Sequence, residues 1–502
     1  MKKTSLLFLL SIMLSFSSLS QENTGAIASP AQVFTSTGTV KINNKAINYT
    51  ANAGTMPLRD ENNELIGHFG FTSYTKEGSD KNRPIMFAYN GGPGSSSFWL
   101  HMGILGPKRI VVDDPNFNKA APYQIVNNDY SILDMADLVM MDPIGTGLSV
   151  AAGKAEFKDF WGVDQDSRSI SLFITQYLIN NGRMNSPKFL LGESYGTFRN
   201  ATVMNELLNQ GVAMNGIIMV SAVFDLRSLM FPPGDDLSYI VHFPTYAATA
   251  YYHNKVPNKP ATMEAFVNEI RAFTENEYMP ALFKGDQLGM TEKQGLANKL
   301  ANYTGTKADY WMKADLRVTA DEFFAEFLRD EGKTVGRLDS RYTGYSQDGI
   351  EQGGAYDPQS SAISPAYIQG FLDYFHGELG VSKDLMYTTT AGRRAGFNWD
   401  WTHRGNGGWG GSMAAINTGP DMAQALTRDP NMKMLIMNGY LDIATVFYGV
   451  EHSINHLGLP KNIKDNISMK YYEAGHMMYI EQASLKQFKL DLDGFIKDTL
   501  KR

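Results

Sequence analysis

Several short segments of this chain are apolar at every position, and they constrain its fold more than anything else in the sequence. Pro84 to Tyr89, Leu138 to Met141 and Phe189 to Leu191 each lead into a glycine-bearing turn, and Ile217 to Val220 repeats the apolar pattern. A strand with one wet face alternates apolar and polar residues, so runs without alternation must be covered on both faces. Between the runs lies a helical stripe: Ile170, Phe173, Ile174, Tyr177 and Leu178 fall at i, i+3, i+4, i+7 and i+8. Late runs from Met434 to Met437 and Met469 to Tyr472 continue the series. A closing helix carries Leu485, Phe488, Leu492, Phe495, Ile496 and Leu500 on one face. The alternation predicts an α/β fold with a mostly parallel central sheet flanked by helices.

The 502 residues, 43% hydrophobic and 19% charged, allow one large domain with an insertion, or two domains. Lys2 and Lys3, the apolar stretch Leu6 to Phe16 and the small residues Ser17 to Ser20 have the form of a secretory signal peptide over residues 1–20. Residues 21–35 read as a flexible start to the mature chain. From Gly38 to Thr75 the pattern is that of antiparallel strands, with turns at Asn43–Asn44 and Asp60–Asn63. The expected organisation is a first core part over 36–228, a mainly helical cap insertion over 229–394, and a second core part over 395–502. Such a cap would cover the carboxyl edge of the sheet, where open α/β sheets bind ligands.

The absence of cysteine excludes disulfides, thiolate catalysis and cysteine-ligated zinc. Together with the export signal it predicts a bacterial periplasmic or extracellular enzyme. A net charge of -7 gives no electrostatic case for nucleic acid or an anionic membrane as partner. No segment after the signal reads as a membrane-spanning helix.

Gly192-Glu193-Ser194-Tyr195-Gly196 fits G-x-S-x-G, the strand-to-helix turn that presents a nucleophilic serine. With 47 glycines the pattern alone has little weight, but the apolar run before it and the helical positions Val203, Leu207 and Leu208 after it supply the required context. Asn90-Gly91-Gly92-Pro93-Gly94 follows an upstream strand, and its glycines permit a backbone N–H to approach a reacting oxygen closely. Gly92 and Tyr195 are the expected oxyanion donors. Asp442 and His476 each follow a late strand in the order serine, aspartate, histidine, which predicts Ser194 as nucleophile, His476 as general base and Asp442 as its orienting carboxylate. Other patterns fall short. Ser149 and Ser412 lack the second glycine of the turn. His452 and His456 lack the adjacent glutamate of a zinc protease helix. Gly405-Asn406-Gly407-Gly408-Trp409-Gly410 lacks the strand that a dinucleotide site needs. No metal or cofactor is predicted.

The elbow, the loop Asn90 to Ser97, the turn Asp142-Pro143-Ile144-Gly145-Thr146-Gly147-Leu148-Ser149 and the ending Gly475-His476-Met477 resemble the motifs of the serine carboxypeptidase family. That resemblance implies the α/β-hydrolase fold and removal of a peptide's last residue through an acyl-enzyme. It implies peptide substrates with a free C-terminus, met by Asn90, Gly91, Glu193 and Met477. It departs at three positions: Ala88 where the family usually has tryptophan, Ile104 where many members carry a second carboxylate-binding glutamate, and Ser95 where a cysteine is usual. A carboxylesterase or acyltransferase on the same triad remains a second reading, and a non-catalytic binding protein a third.

Overall fold

The computed structural model describes residues 31–404 and 417–501. The signal peptide, the glycine-rich Gly405–Gly410 stretch and Ser412 lie outside the described residues. The central sheet is built from β1 (Val33–Ile42), β2 (Lys45–Arg59), β3 (Leu65–Lys76), β4 (Ile85–Tyr89), β5 (Asp137–Asp142), β6 (Lys188–Glu193), β7 (Gly216–Val220), β8 (Lys433–Gly439) and β9 (Ile467–Tyr472). Its spatial order is β1-β2-β3-β5-β4-β6-β7-β8-β9, with the short strand Val150–Ala151 pairing β3 off that path. The pairs from β1 through β3 to β5 are antiparallel. From β5 onward every pair is parallel. With helices on both faces, this mixed sheet is the α/β-hydrolase fold.

The unbroken apolar runs are explained by two cores, one on each face. Met86, Ala88, Leu191, Ile218 and Leu435 point to one cluster. Their neighbours Phe87, Leu190, Ile217 and Ile436 point to the other. Leu190 is fully buried, and truncating it to alanine would cost about 2–5 kcal/mol. The helices Val163–Asn180 and Tyr195–Asn209 cover the second face with Ile170, Phe173, Ile174, Val203 and Leu207. The closing helix Gln482–Leu500 covers the first with Leu485, Phe488, Leu492 and Ile496.

Two features differ from the sequence expectation. The first strand begins at Val33 rather than near Gly38, because its polar face finds partners: Thr35 and Thr39 donate to Asn52 and Asn48 across the pair at 2.8 Å each. The segment 229–394 also divides its packing. Helices Leu237–Tyr252, Met263–Phe273 and Met290–Thr304 share a cluster around Phe243 and Trp311. Helix Pro358–Gly377 instead joins the first core face through Ile363, Phe371 and Phe375.

Candidate active site

Ser194 sits between β6 and the helix Tyr195–Asn209 with φ 61° and ψ −130°, a left-handed conformation that L-residues avoid. The turn is held by the Ser194 N–H donating to Val220 O at 3.0 Å. It is also too tight for a side chain beside it: a Cβ on Gly192 would lie 2.3 Å from Gly196 O. Ser194 is half-buried, whereas Glu193 and Tyr195 on either side are buried.

His476 and Asp442 come from the loops after β9 and β8. His476 Nδ1 lies 2.7 Å from Asp442 Oδ2. Asp442 is fully buried, and its Oδ1 accepts from the Ala444 and Thr445 N–H groups at 2.9 Å each. The Thr445 hydroxyl donates to Asp442 Oδ2 at 2.7 Å. Burial opposes charge on His476, but the Asp442 carboxylate outweighs it by charge and hydrogen bonding, so the imidazole pKa is raised. The histidine backbone is fixed as well, with His476 N–H donating to Leu338 O and Ser221 Oγ donating to His476 O, both at 2.6 Å.

The glycine loop presses on the elbow. A Cβ on Gly91 would stand 2.4 Å from Tyr195 N, and Gly92 has φ +109°. Among the described residues neither the Gly92 N–H nor the Tyr195 N–H has a hydrogen-bond acceptor. Asp142 braces the loop from behind, its Oδ1 accepting from Ser97 N–H at 2.8 Å and Tyr387 OH at 3.0 Å. Burial pushes this carboxyl up to about 7, against both bonds.

Beside the serine, Glu193 Oε1 accepts from Asn90 Nδ2 at 2.9 Å and Oε2 accepts from Tyr479 OH at 2.8 Å. Burial pushes Glu193 up to about 7, while nearby His476 and the two donors pull the other way. Asn90 Oδ1 accepts from Leu100 N–H at 3.1 Å, and Asn90 O accepts from Arg199 Nη1 at 2.9 Å. Ala88 and Ile104 are fully buried. Met477 is buried as well, in the cluster that contains Met478 and Ile480.

Thr445, Tyr479 and Arg199 were not singled out by sequence. Arg199 is buried and pairs with buried Asp166, its guanidinium 4.7 Å from the Tyr89 ring centroid and 5.3 Å from that of Tyr195. An arginine inside an apolar helix stripe, five residues past the elbow serine, is the signal that could have flagged it. No comparable signal marks Thr445 or Tyr479. Of the near misses, Ser149 donates to Asp142 O, and His452 of helix Phe447–Asn455 stacks on His456 just past its end, with ring centroids 4.1 Å apart. Among the described residues no group of three or more histidine, aspartate or glutamate side chains is arranged to hold a metal.

A family model described as serine carboxypeptidase matches residues 43–312, a span that holds the glycine loop and the elbow. The pheromone-processing carboxypeptidase KEX1 of Saccharomyces cerevisiae is 28% identical over 208 residues, 38% of this chain and 27% of the relative. The same enzyme from a second yeast strain is 29% identical over 209 residues, 38% of this chain and 26% of its own. The chain thus spans about a quarter of the length of the curated relatives it matches. The crystal structure of Kex1Δp, a prohormone-processing carboxypeptidase from Saccharomyces cerevisiae, superposes with TM-score 0.53 at 16% identity, covering 90% of this chain and 92% of that one. At that identity the likeness is one of fold.

Proposed function

The chain belongs to the serine carboxypeptidase family, and from that premise we propose that it is an exported enzyme that releases C-terminal residues from peptides through Ser194, His476 and Asp442. Ser194 Oγ attacks the carbonyl of the last peptide bond while His476 takes its proton. The Gly92 and Tyr195 N–H groups hold the oxyanion. Collapse breaks the C–N bond, His476 gives the proton to the leaving amine, and the terminal amino acid departs. Water then attacks the acyl-enzyme, losing its proton to His476, which returns it to Ser194. Asp442 keeps the imidazole in the tautomer this relay requires.

The observation that carries the reading is the Asn90–Glu193 pair at 2.9 Å, immediately beside the serine. An amide and a carboxyl pushed up to about 7 can together meet a carboxylate, because Glu193 can hold a proton to donate. The yeast relative is named for carboxypeptidase action in pheromone processing, and a peptide with a free C-terminus is the substrate class carried over. Export is inferred from Lys2, Lys3 and the apolar stretch after them. Among the described residues no helix is long and apolar enough to cross a membrane.

Mass spectrometry of a mixed peptide library after incubation tests the reading. The expected result is stepwise loss of the last residue, absent with Ser194→Ala. Cleavage of aryl esters without trimming of any free-acid peptide would move the assignment to an esterase or acyltransferase. Both oxygens of Glu193 already have donors, which gives that second reading its footing. Failure to label with a fluorophosphonate would leave a binding protein.

A further inference from the structure

Tyr479 takes no part in the acyl transfer, yet its hydroxyl donates to Glu193 Oε2 at 2.8 Å. Its ring is buried and closely packed. A Cβ on Gly103 would lie 2.3 Å from Tyr479 Cε2, and Phe488 stands edge-on at 6.3 Å. We propose that Tyr479 is a positioning residue for the substrate's terminal carboxylate, its hydroxyl fixing Glu193 and setting the pH above which Glu193 gives up the proton that carboxylate must receive.

The inference rests on the carboxypeptidase reading and deepens it. A donor on a carboxyl oxygen favours the ionised form. Glu193 has two such donors, Asn90 on Oε1 and Tyr479 on Oε2, set against burial. The titratable groups facing it are His476, which favours its charge, Asp442, which opposes it, and the neutral phenols of Tyr479 and Tyr367. Burial raises the Tyr479 phenol well above its ordinary range, so it stays protonated and donates at every pH of interest. Two carboxylates in contact cannot both ionise cheaply, so a free-acid peptide binds well only while Glu193 keeps its proton. Each donor on Glu193 therefore lowers the pH at which binding fades. Removing the Tyr479 hydroxyl should raise that pH, which is the reverse of what general loosening of the site would do.

The experiment measures KM from pH 4 to 9 for one peptide as free acid and as C-terminal amide. The proteins are wild type, Tyr479→Phe, and a protein with 3-fluorotyrosine at position 479. Tyr479→Phe keeps the ring packing, and the fluorinated phenol is a stronger donor of nearly the same shape. The expected result is a free-acid midpoint about 1–2 pH units higher in Tyr479→Phe and lower with fluorotyrosine. The amide profile should be flat in all three proteins, and kcat should stay within about twofold. A wild-type midpoint that neither replacement moves would overturn the role of Tyr479. Identical wild-type profiles for acid and amide would overturn the carboxypeptidase reading itself. If Tyr479→Phe does not fold, the fluorotyrosine protein alone decides the sign.

Discussion

Thr445 donates its hydroxyl to Asp442 Oδ2 at 2.7 Å, the same oxygen that faces His476 Nδ1 at 2.7 Å. The threonine oxygen also lies 3.0 Å from Ser221 O and 3.2 Å from His476 Nδ1. With the two N–H groups on Oδ1, every side of this buried carboxylate is occupied. These contacts fix its direction, and the imidazole inherits that direction.

Thr445→Val should therefore lower kcat by about tenfold, the worth of one hydrogen bond to a charged group, and leave KM nearly unchanged. Thr445→Ser keeps the hydroxyl and should recover most of the rate. Steady-state kinetics on one peptide decides it, and a valine variant with full turnover would show that Asp442 needs no help from this side.

In the proposed mechanism Ser194→Ala and His476→Ala should each remove about 10⁶ of kcat, because the proposed nucleophile and base act as a unit. Asp442→Asn should be milder, at about 10⁴. A Ser194→Ala protein retaining a tenth of the wild-type rate would sink the assignment of the nucleophile.

Substitution in the glycine loop should strike turnover rather than binding. Gly92 has φ +109°, and a Cβ there would stand 2.7 Å from Ser95 N. Displacing one oxyanion donor typically costs about 10²–10³ in rate, so Gly92→Ala should lose that much kcat with KM within a few-fold. Gly91→Ala should behave alike, since its Cβ would push on Tyr195 N from 2.4 Å. If either variant loses binding and keeps kcat, the donors lie elsewhere.

The sheet and the elbow were legible because they rest on local pattern. Runs such as Ile217 to Val220 carry both faces of a buried strand in consecutive residues, and Gly192 is demanded by a clash within its own turn. The proposed roles of Asp442 and His476 were read from position, each following an apolar run in a fixed order, and their side chains meet at 2.7 Å. Thr445 and Tyr479 were not. Nothing local separates the Tyr479 side chain from other buried aromatics; its hydroxyl matters because the closing segment brings it to Glu193 across 286 residues of chain. The packing of helix Pro358–Gly377 on the core rather than with the rest of 229–394 is likewise a tertiary outcome, since its apolar face would suit either surface.

Stability should fall with pH on account of two carboxyls. Glu193 and Asp142 are both pushed up to about 7, chiefly by burial. In the unfolded chain each titrates near 4, give or take about half a unit. Between these values the folded protein holds protons that the unfolded chain has released, so unfolding becomes easier as pH rises from about 4 to about 7 and levels off above. Asp142→Asn should flatten its share of that decline in melting temperatures measured from pH 4 to 8. An unchanged slope would mean that Asp142 is ionised throughout.

The same Glu193 should leave a mark on His476. In the proposed mechanism the imidazole must be neutral to act as base, so rate should fall as pH drops through its pKa. Burial works against charge on His476, but Asp442 raises that pKa, and the Glu193 carboxylate adds to the rise. For a free-acid peptide the other limb comes from Glu193, which must keep a proton and loses it near pH 7, to within about a unit. The two limbs then oppose each other, giving a bell in kcat/KM for the free acid, whereas a C-terminal amide should show the acid limb alone. Glu193→Gln removes the charge and keeps the shape. It should abolish the alkaline limb for the free acid and move the acid limb of the amide to lower pH, because His476 loses a nearby negative charge. The measurement is kcat/KM from pH 4 to 9 for both peptides in both proteins. An acid limb that stays in place would separate the two residues electrostatically, and an alkaline limb that survives in the glutamine variant would assign it to a group other than Glu193.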